Sequence, residues 1–290
     1  MSSSDRTGPS DIGAVTLGQF TASDGAIIPY RVKGDGPPLI LIHGWSQSGA
    51  MFRHQLESLS STHRVIVPDI RGHGESPPPQ GGLRMSRLAM DLEELMAHFA
   101  LERTCVLGWS MGVSVIWSYI DLFGTRKLHK LVLVDQPSML TVLPGMSAQE
   151  IVECGALFTG QQLEDLCAGL RTEQGVDLRT GFVRGMVTKN IPPALLQWIL
   201  DENAKTSTAV AAQLLWSHCT QDWRDVLRRI DRPTLVICGA VSHVDKRSQY
   251  YIQSQIPQAH ICEFSAAQGG AHFPFLEAPE SFNAAVARFL

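Results

Sequence analysis

A serine with a glycine two residues to either side, Gly108-Trp109-Ser110-Met111-Gly112, is the feature of this chain best suited to covalent chemistry. A hydroxyl exposed on a sharp strand-to-helix turn can attack a carbonyl carbon, provided the residues two positions away are small enough to clear the neighbouring strand and helix. Cys105-Val106-Leu107 before the turn predicts a strand, and Val113 to Phe123 after it a helix. A serine between glycines also occurs as a plain helix cap, so the chemistry requires partners elsewhere in the chain.

Two partners are legible. Gly269-Gly270-Ala271-His272-Phe273-Pro274 is a glycine-rich loop late in the chain, and the order nucleophile then histidine suits His272 as the general base for Ser110. Among the ten histidines, His54, His63, His98, His129 and His260 have ordinary surface or packing readings. The apolar run Leu39 to Ile42 ends in His43-Gly44-Trp45-Ser46, a strand-to-loop turn that can supply one backbone N–H to an oxyanion; the residue after the nucleophile supplies the other. That assigns Trp45 and Met111 to the oxyanion hole, where losing one donor costs about 2.7 to 4 kcal/mol of transition-state stabilisation. His43 reads as a packing residue of its turn.

His43-Gly44-Trp45, Asp69-x-Arg71-Gly72-His73-Gly74-x-Ser76, Gly108-x-Ser110-x-Gly112 and His272-Phe273-Pro274 together resemble the α/β-hydrolase superfamily, over nearly the whole chain apart from about residues 137–222. Within that resemblance, the Trp45 and Met111 pair is similar to the oxyanion hole of bacterial aryl esterases and cofactor-free haloperoxidases. Gly72-His73-Gly74 resembles the superfamily's structural turn, which leaves His73 without a catalytic role.

The third catalytic partner departs from the family pattern. Most members carry the acid three residues beyond the glycine ending the penultimate strand, and three beyond Gly239 stands Ser242. Two aspartates are available instead. Asp245 follows three residues later, where it could equally cap the next helix. Asp135 ends the run Lys130 to Val134, at the strand end where open α/β sheets place ligand groups, and haloalkane dehalogenases resemble this layout. Asp135 is preferred and Asp245 is the alternative; either would hold the His272 tautomer and stabilise its imidazolium.

Ser at position 110 disfavours dehalogenase or epoxide hydrolase chemistry, in which the resemblance implies an aspartate nucleophile. The expected activity is hydrolysis of a small, largely apolar ester or lactone through an acyl-enzyme. His43-Gly44-Trp45-x-Gln47, Asp135 and His272-Phe273-Pro274 also resemble cofactor-free dioxygenases acting on hydroxyquinolones with a His-Asp pair, and a non-catalytic ligand-binding member is a third reading.

These residues require a scaffold. Pro38 to Ile42, Arg64 to Pro68, Thr104 to Leu107, Lys130 to Val134 and Pro233 to Cys238 are short apolar runs, mostly separated by helix-like segments, which predicts a mostly parallel sheet covered on both faces. Val15 to Thr21 and Ile27 to Lys33, joined through Ser23-Asp24-Gly25, predict an antiparallel hairpin at its edge. Helical patterns without strands between about 137 and 222 (Ala148 to Leu157, Gln161 to Leu170, Pro193 to Ala204, Thr208 to Trp216) predict an inserted cap. The expected organisation is an α/β-hydrolase fold: a disordered tail over 1–14, a core over 15–136 and 223–290, and a helical cap over 137–222. A helix near Arg247 to Gln255, a strand near His260 to Phe264 and a helix from Pro279 close the chain. Trp109, Trp198 and Trp216, with Phe158, Phe182, Met186 and Trp223, could line an apolar pocket between cap and sheet. Pro77-Pro78-Pro79-Gln80-Gly81-Gly82 reads as a stiff loop at the cleft rim.

Composition narrows the partners. The 290 residues carry 24 Lys and Arg against 28 Asp and Glu, with no basic block, which argues against nucleic acid. No apolar stretch approaches the roughly 20 residues that span a bilayer, and Met1 to Asp11 lacks the apolar segment of a signal peptide. Six scattered cysteines without a Cys-x-x-Cys pair predict free buried thiols of a cytoplasmic protein. No metal set or dinucleotide motif appears, so the expectation is a small-molecule substrate and no cofactor; spacing specifies neither the substrate's acyl and alcohol parts nor the oligomeric state.

Overall fold

The structure is a computed structural model that describes residues 13–290; the tail expected over 1–14 lies, except for its last two residues, outside them. The chain opens with β1 (Thr16–Thr21), β2 (Ile27–Lys33), β3 (Pro38–Ile42), α1 (Arg53–Leu59), β4 (Arg64–Pro68), α2 (Met85–His98), β5 (Thr104–Trp109), α3 (Met111–Phe123) and β6 (Leu128–Val134). Six helices follow: α4 (Ala148–Cys154), α5 (Gly160–Gly169), α6 (Gly175–Arg184), α7 (Pro193–Ala204), α8 (Thr208–Cys219) and α9 (Arg224–Leu227). The sheet resumes with β7 (Thr234–Gly239), α10 (Lys246–Gln255) and β8 (Ala259–Phe264), and α11 (Pro274–Glu277) and α12 (Pro279–Phe289) end the chain.

The eight strands form one sheet in the order β1-β2-β4-β3-β5-β6-β7-β8. β1 and β2 are antiparallel, β2 meets β4 antiparallel, and every later pairing is parallel. The two sides are covered because side chains alternate along each strand. Leu39, Leu41, Val65, Val67, Leu107 and Val132 pack toward α1 and α12 on one face, while Ile40, Ile42, Ile66, Val106 and Leu131 pack toward α2 and α3 on the other. Continuous apolar runs are therefore required, and those are the runs the sequence displays.

β3 is paired with β4 on one side and β5 on the other, so the chain order reverses there. Crevices at such reversals, outside the carboxyl ends of the strands, are where open α/β sheets bind ligands. The loop after β3 and the turn after β5 both start at this point.

Two expectations need correction. The helical patterns read in the sequence omit α6; Gly175, Gly181 and Gly185 dilute its periodicity, and packing of Val183 rather than propensity sustains it. The Pro77 to Gly82 loop does not border the cleft. It packs beside Asp24, Gly25 and Arg71, and Arg71 donates to the Gly81 carbonyl at 3.1 Å. All six cysteines are free, five of them buried and Cys262 partly so.

Candidate functional site

The turn after β5 is strained in the way its glycines allow. Ser110 has φ 54° and ψ −126°, a conformation that costs a non-glycine residue roughly 1–3 kcal/mol. A Cβ at Gly108 would lie 2.7 Å from the Gly112 backbone, and one at Gly112 would lie 2.2 Å from the Ile42 carbonyl oxygen. Both glycines are thus fixed by close backbone approach. The Ser110 N–H donates to Val134 at the end of β6 (2.9 Å), which ties the turn to the next strand.

The loop after β3 faces this turn. A Cβ on Gly44 would sit 3.0 Å from Ser110 Cβ and 3.1 Å from the Trp109 ring, so glycine lets the two segments meet without displacing either side chain. Met111 is the first residue of α3, whose opening N–H groups have no acceptor within the helix. Among the described residues neither the Trp45 nor the Met111 N–H has a hydrogen-bond acceptor.

The loop is held from several sides. His73 Nε2 accepts from the Ser46 N–H at 3.0 Å, Asn203 donates to the Ser46 carbonyl at 2.7 Å, and Ser48 donates to Glu202 at 2.5 Å. Trp45 Nε1 donates to the Ala211 carbonyl at 2.8 Å, so α8 also anchors it. His43 Nε2 accepts from Ile70 N–H at 2.9 Å. His43 and His73 thus act as neutral staples between loops, in keeping with the packing role read for His43.

His272 lies in the loop after β8. Its Nδ1–H donates to Asp135 Oδ2 at 2.7 Å, and both side chains are buried. Asp135 follows β6 with φ 51° and is seated by its N–H donating to Ile237 on β7. Ser242 Oγ donates to the same carboxylate oxygen at 2.5 Å. The residue at the expected acid position therefore serves Asp135 as a hydrogen-bond donor. Asp245 is not part of this arrangement: it caps α10, accepting from Arg247 N–H at 2.9 Å, and pairs with the Arg247 guanidinium at 2.5 Å, which lowers its carboxyl pKa. The His272 backbone is fixed too, its N–H donating to Met186 and its carbonyl accepting from Trp109 Nε1 at 2.8 Å.

Ser110, His272, Trp45 and Trp109 line one cavity of about 550 Å³, counting its mouth, with Phe158, Phe182 and Met186 from the helical segment on its walls. Apolar walls with a few polar groups among them suit a small organic ligand. Among the described residues no hydrogen bond joins Ser110 Oγ to His272; such contacts commonly tighten only in the complex with substrate.

Three expected wall residues are elsewhere. Trp198 packs below the Arg53 guanidinium, 4.0 Å from the ring centroid, and Trp216 is 47% exposed on the outer side of α8. Trp223 is buried in the core. The cavity instead contains residues sequence reasoning passed over: His218 on α8 and His243 beside Ser242. His243 stacks edge-on against His272, with ring centroids 4.5 Å apart. The missing acid at position 242 is the signal that could have drawn attention to its neighbour; His218 carries none.

Burial sets an acid limit on the fold. Desolvation lowers His43 to about 4, His73 to about 3 and His218 to about 3. Between those values and the unfolded value near 6.5, the unfolded chain binds more protons, so stability is complete above pH 6.5 and declines as pH falls. Each histidine contributes a loss on the order of 1 kcal/mol by pH 5.5. Urea unfolding at pH 7.5 and 5.5 should show this; equal midpoints would mean that these rings are not held neutral.

No helix among the described residues is long and apolar enough to cross a membrane. The family model for the alpha/beta hydrolase fold matches residues 37–279. The chain is 34% identical over 228 residues to the non-heme chloroperoxidase CPO-A1 of Kitasatospora aureofaciens, covering 76% of this chain and 79% of that protein. It is 26% identical over 262 residues to the pimeloyl-[acyl-carrier protein] methyl ester esterase of Vibrio campbellii, covering 90% and 97%. The crystal structure of a bromoperoxidase from Bacillus anthracis superposes with a TM-score of 0.84 at 24% identity, covering 95% of this chain and 99% of that one. With its sheet order, its strained Ser110 turn and this match over most of its length, the chain belongs to the α/β-hydrolase fold family.

Proposed function

We propose that this protein is a serine hydrolase that cleaves a small carboxylic ester or lactone through an acyl-enzyme. The observation that carries the reading is the 2.7 Å contact between His272 Nδ1 and Asp135, which commits Nδ1 to the acid and leaves Nε2 as the ring's remaining site for proton exchange in the cavity shared with Ser110. Ser110 Oγ attacks the carbonyl carbon and its proton passes to His272 Nε2. The resulting oxyanion is received by the N–H groups of Trp45 and Met111. The intermediate collapses, His272 returns the proton to the leaving alcohol, and water attacks the acyl-Ser110 ester by the same route. Asp135 holds the imidazole in the required tautomer and stabilises it when charged, and Ser242 steadies Asp135. The helical segment over 137–222 forms the cap. The relative named as a methyl ester esterase supports an ester carbonyl as the target.

A second reading keeps His272 and Asp135 as a base pair for cofactor-free oxygenation of a hydroxyquinolone-like heterocycle and gives Ser110 no covalent part; the lack of a Ser110 to His272 hydrogen bond favours it. Incubation with a fluorophosphonate separates the two. Acyl transfer predicts a single adduct on Ser110 in the intact protein, whereas a folded, unlabelled sample that consumes oxygen with a hydroxyquinolone would establish the other.

A further inference from the structure

The cavity walls carry polar atoms that acyl transfer does not use. Gln47 is 1% exposed, and neither its Nε2 nor its Oε1 has a hydrogen-bond partner among the described residues. His218, 4% exposed, leaves Nδ1 unpartnered, and so does His243. All three line the cavity that contains Ser110 and His272. Buried polar groups without partners are rare because each has given up its hydration for nothing, and three around one cavity point to a ligand that completes them.

The chemistry of that ligand follows from the groups themselves. Burial holds His218 and His243 well below the ordinary histidine value, so both are neutral near pH 7 and each offers one donor and one acceptor. The Gln47 amide likewise presents a donor beside an acceptor. No Lys, Arg, Asp or Glu side chain lines the cavity, so an ionic substituent would be buried without a counter-charge.

Resting on the acyl-transfer reading, we propose that Gln47, His218 and His243 form a subsite for a neutral substrate group that both donates and accepts hydrogen bonds, a hydroxyl or an amide. The substrate is therefore a polar-substituted ester or lactone rather than a plain hydrocarbon one. Anionic carboxyalkyl esters are excluded, because Gln47 Oε1 and the imidazole acceptors oppose them and no cation faces them.

The test is a panel of matched esters in which an alkyl, hydroxyalkyl, acetamidoalkyl or carboxyalkyl group is placed in turn on the acyl and the alcohol side. In the wild type the best hydroxyalkyl or acetamidoalkyl ester exceeds its alkyl counterpart in kcat/KM by about tenfold, the scale of one well-made hydrogen bond, and carboxyalkyl esters fall below both. Gln47→Leu and His218→Phe each bring that ratio toward one. Gln47→Leu also raises Tm, by roughly 2–4 °C, because an unsatisfied buried amide is replaced by an apolar group of similar size. Alkyl esters favoured throughout, or a ratio that stays within twofold of wild type in both variants, would overturn the subsite and leave these groups to water. Fluorophosphonate labelling of Ser110 is measured in parallel. A labelled protein without the preference sinks the subsite alone; an unlabelled one sinks the reading beneath it.

Discussion

Ser110→Ala is expected to lower kcat for ester hydrolysis by about 10⁶-fold, the scale seen when a nucleophilic serine that acts as a unit with its base is removed. The residue that remains folds into the same turn, since alanine keeps the serine Cβ and removes only the hydroxyl oxygen. A melting curve close to wild type therefore accompanies the loss. Initial rates with an activated aryl ester, measured on protein whose fold is verified by circular dichroism, provide the check. A drop of less than tenfold removes Ser110 from covalent chemistry and hands the cavity to the His272 and Asp135 pair.

The second large effect concerns the acid. Asp135→Asn preserves size, yet it removes the charge that stabilises the imidazolium, and its amide N–H can donate to Nδ1, which leaves the proton on Nε2 and presents the wrong tautomer of His272 to the cavity. The expected fall in kcat is about 10⁴-fold. Asp245→Asn is expected to stay within a few-fold of wild type. Its carboxylate is committed to Arg247, and asparagine caps a helix about as well as aspartate. Measuring both variants on one substrate makes the comparison internal: equal losses, or a larger loss at 245, would refute the assignment.

Asp135 is legible in the sequence because apolar runs mark where strands end, and Lys130 to Val134 is such a run. What spacing does not show is the role of Ser242. Its hydroxyl reaches Asp135 because β6 and β7 are adjacent, and adjacency in a sheet is a tertiary fact. The Ser110 turn and the His43-Gly44-Trp45 loop are legible for a related reason: their glycines record close approaches, 2.2 to 2.7 Å to backbone at Gly112 and Gly108 and 3.0 Å to the Ser110 side chain at Gly44, that a Cβ would crowd.

The cavity walls are much less legible. On α8, Leu215, His218 and Cys219 line the cavity, and they share one helical face by their spacing of three and four. Trp216 is only one residue from Leu215 but a quarter turn or more away, and it points to solvent. An apolar helix with weak amphipathicity shows that a face is buried without showing which one, so size and aromaticity select Trp216 and overlook His218. Trp198 misleads in the same way: a large apolar residue is expected at the pocket, and it covers Arg53 instead. The stiff proline loop is misplaced by sequence reasoning because its partner, the turn around Asp24 and Gly25, is distant along the chain.

The backbone of Ser110 has a consequence for anyone who would improve this protein. Its φ of 54° and ψ of −126° are comfortable only for glycine, so the rest of the fold continuously supports a local strain at the one side chain the proposed reaction cannot lose. A library sorted for heat resistance alone will drift toward glycine at this position and collect sturdier, inert molecules. Directed evolution of this scaffold must therefore screen for turnover at every round, since robustness and catalysis pull the same residue in opposite directions.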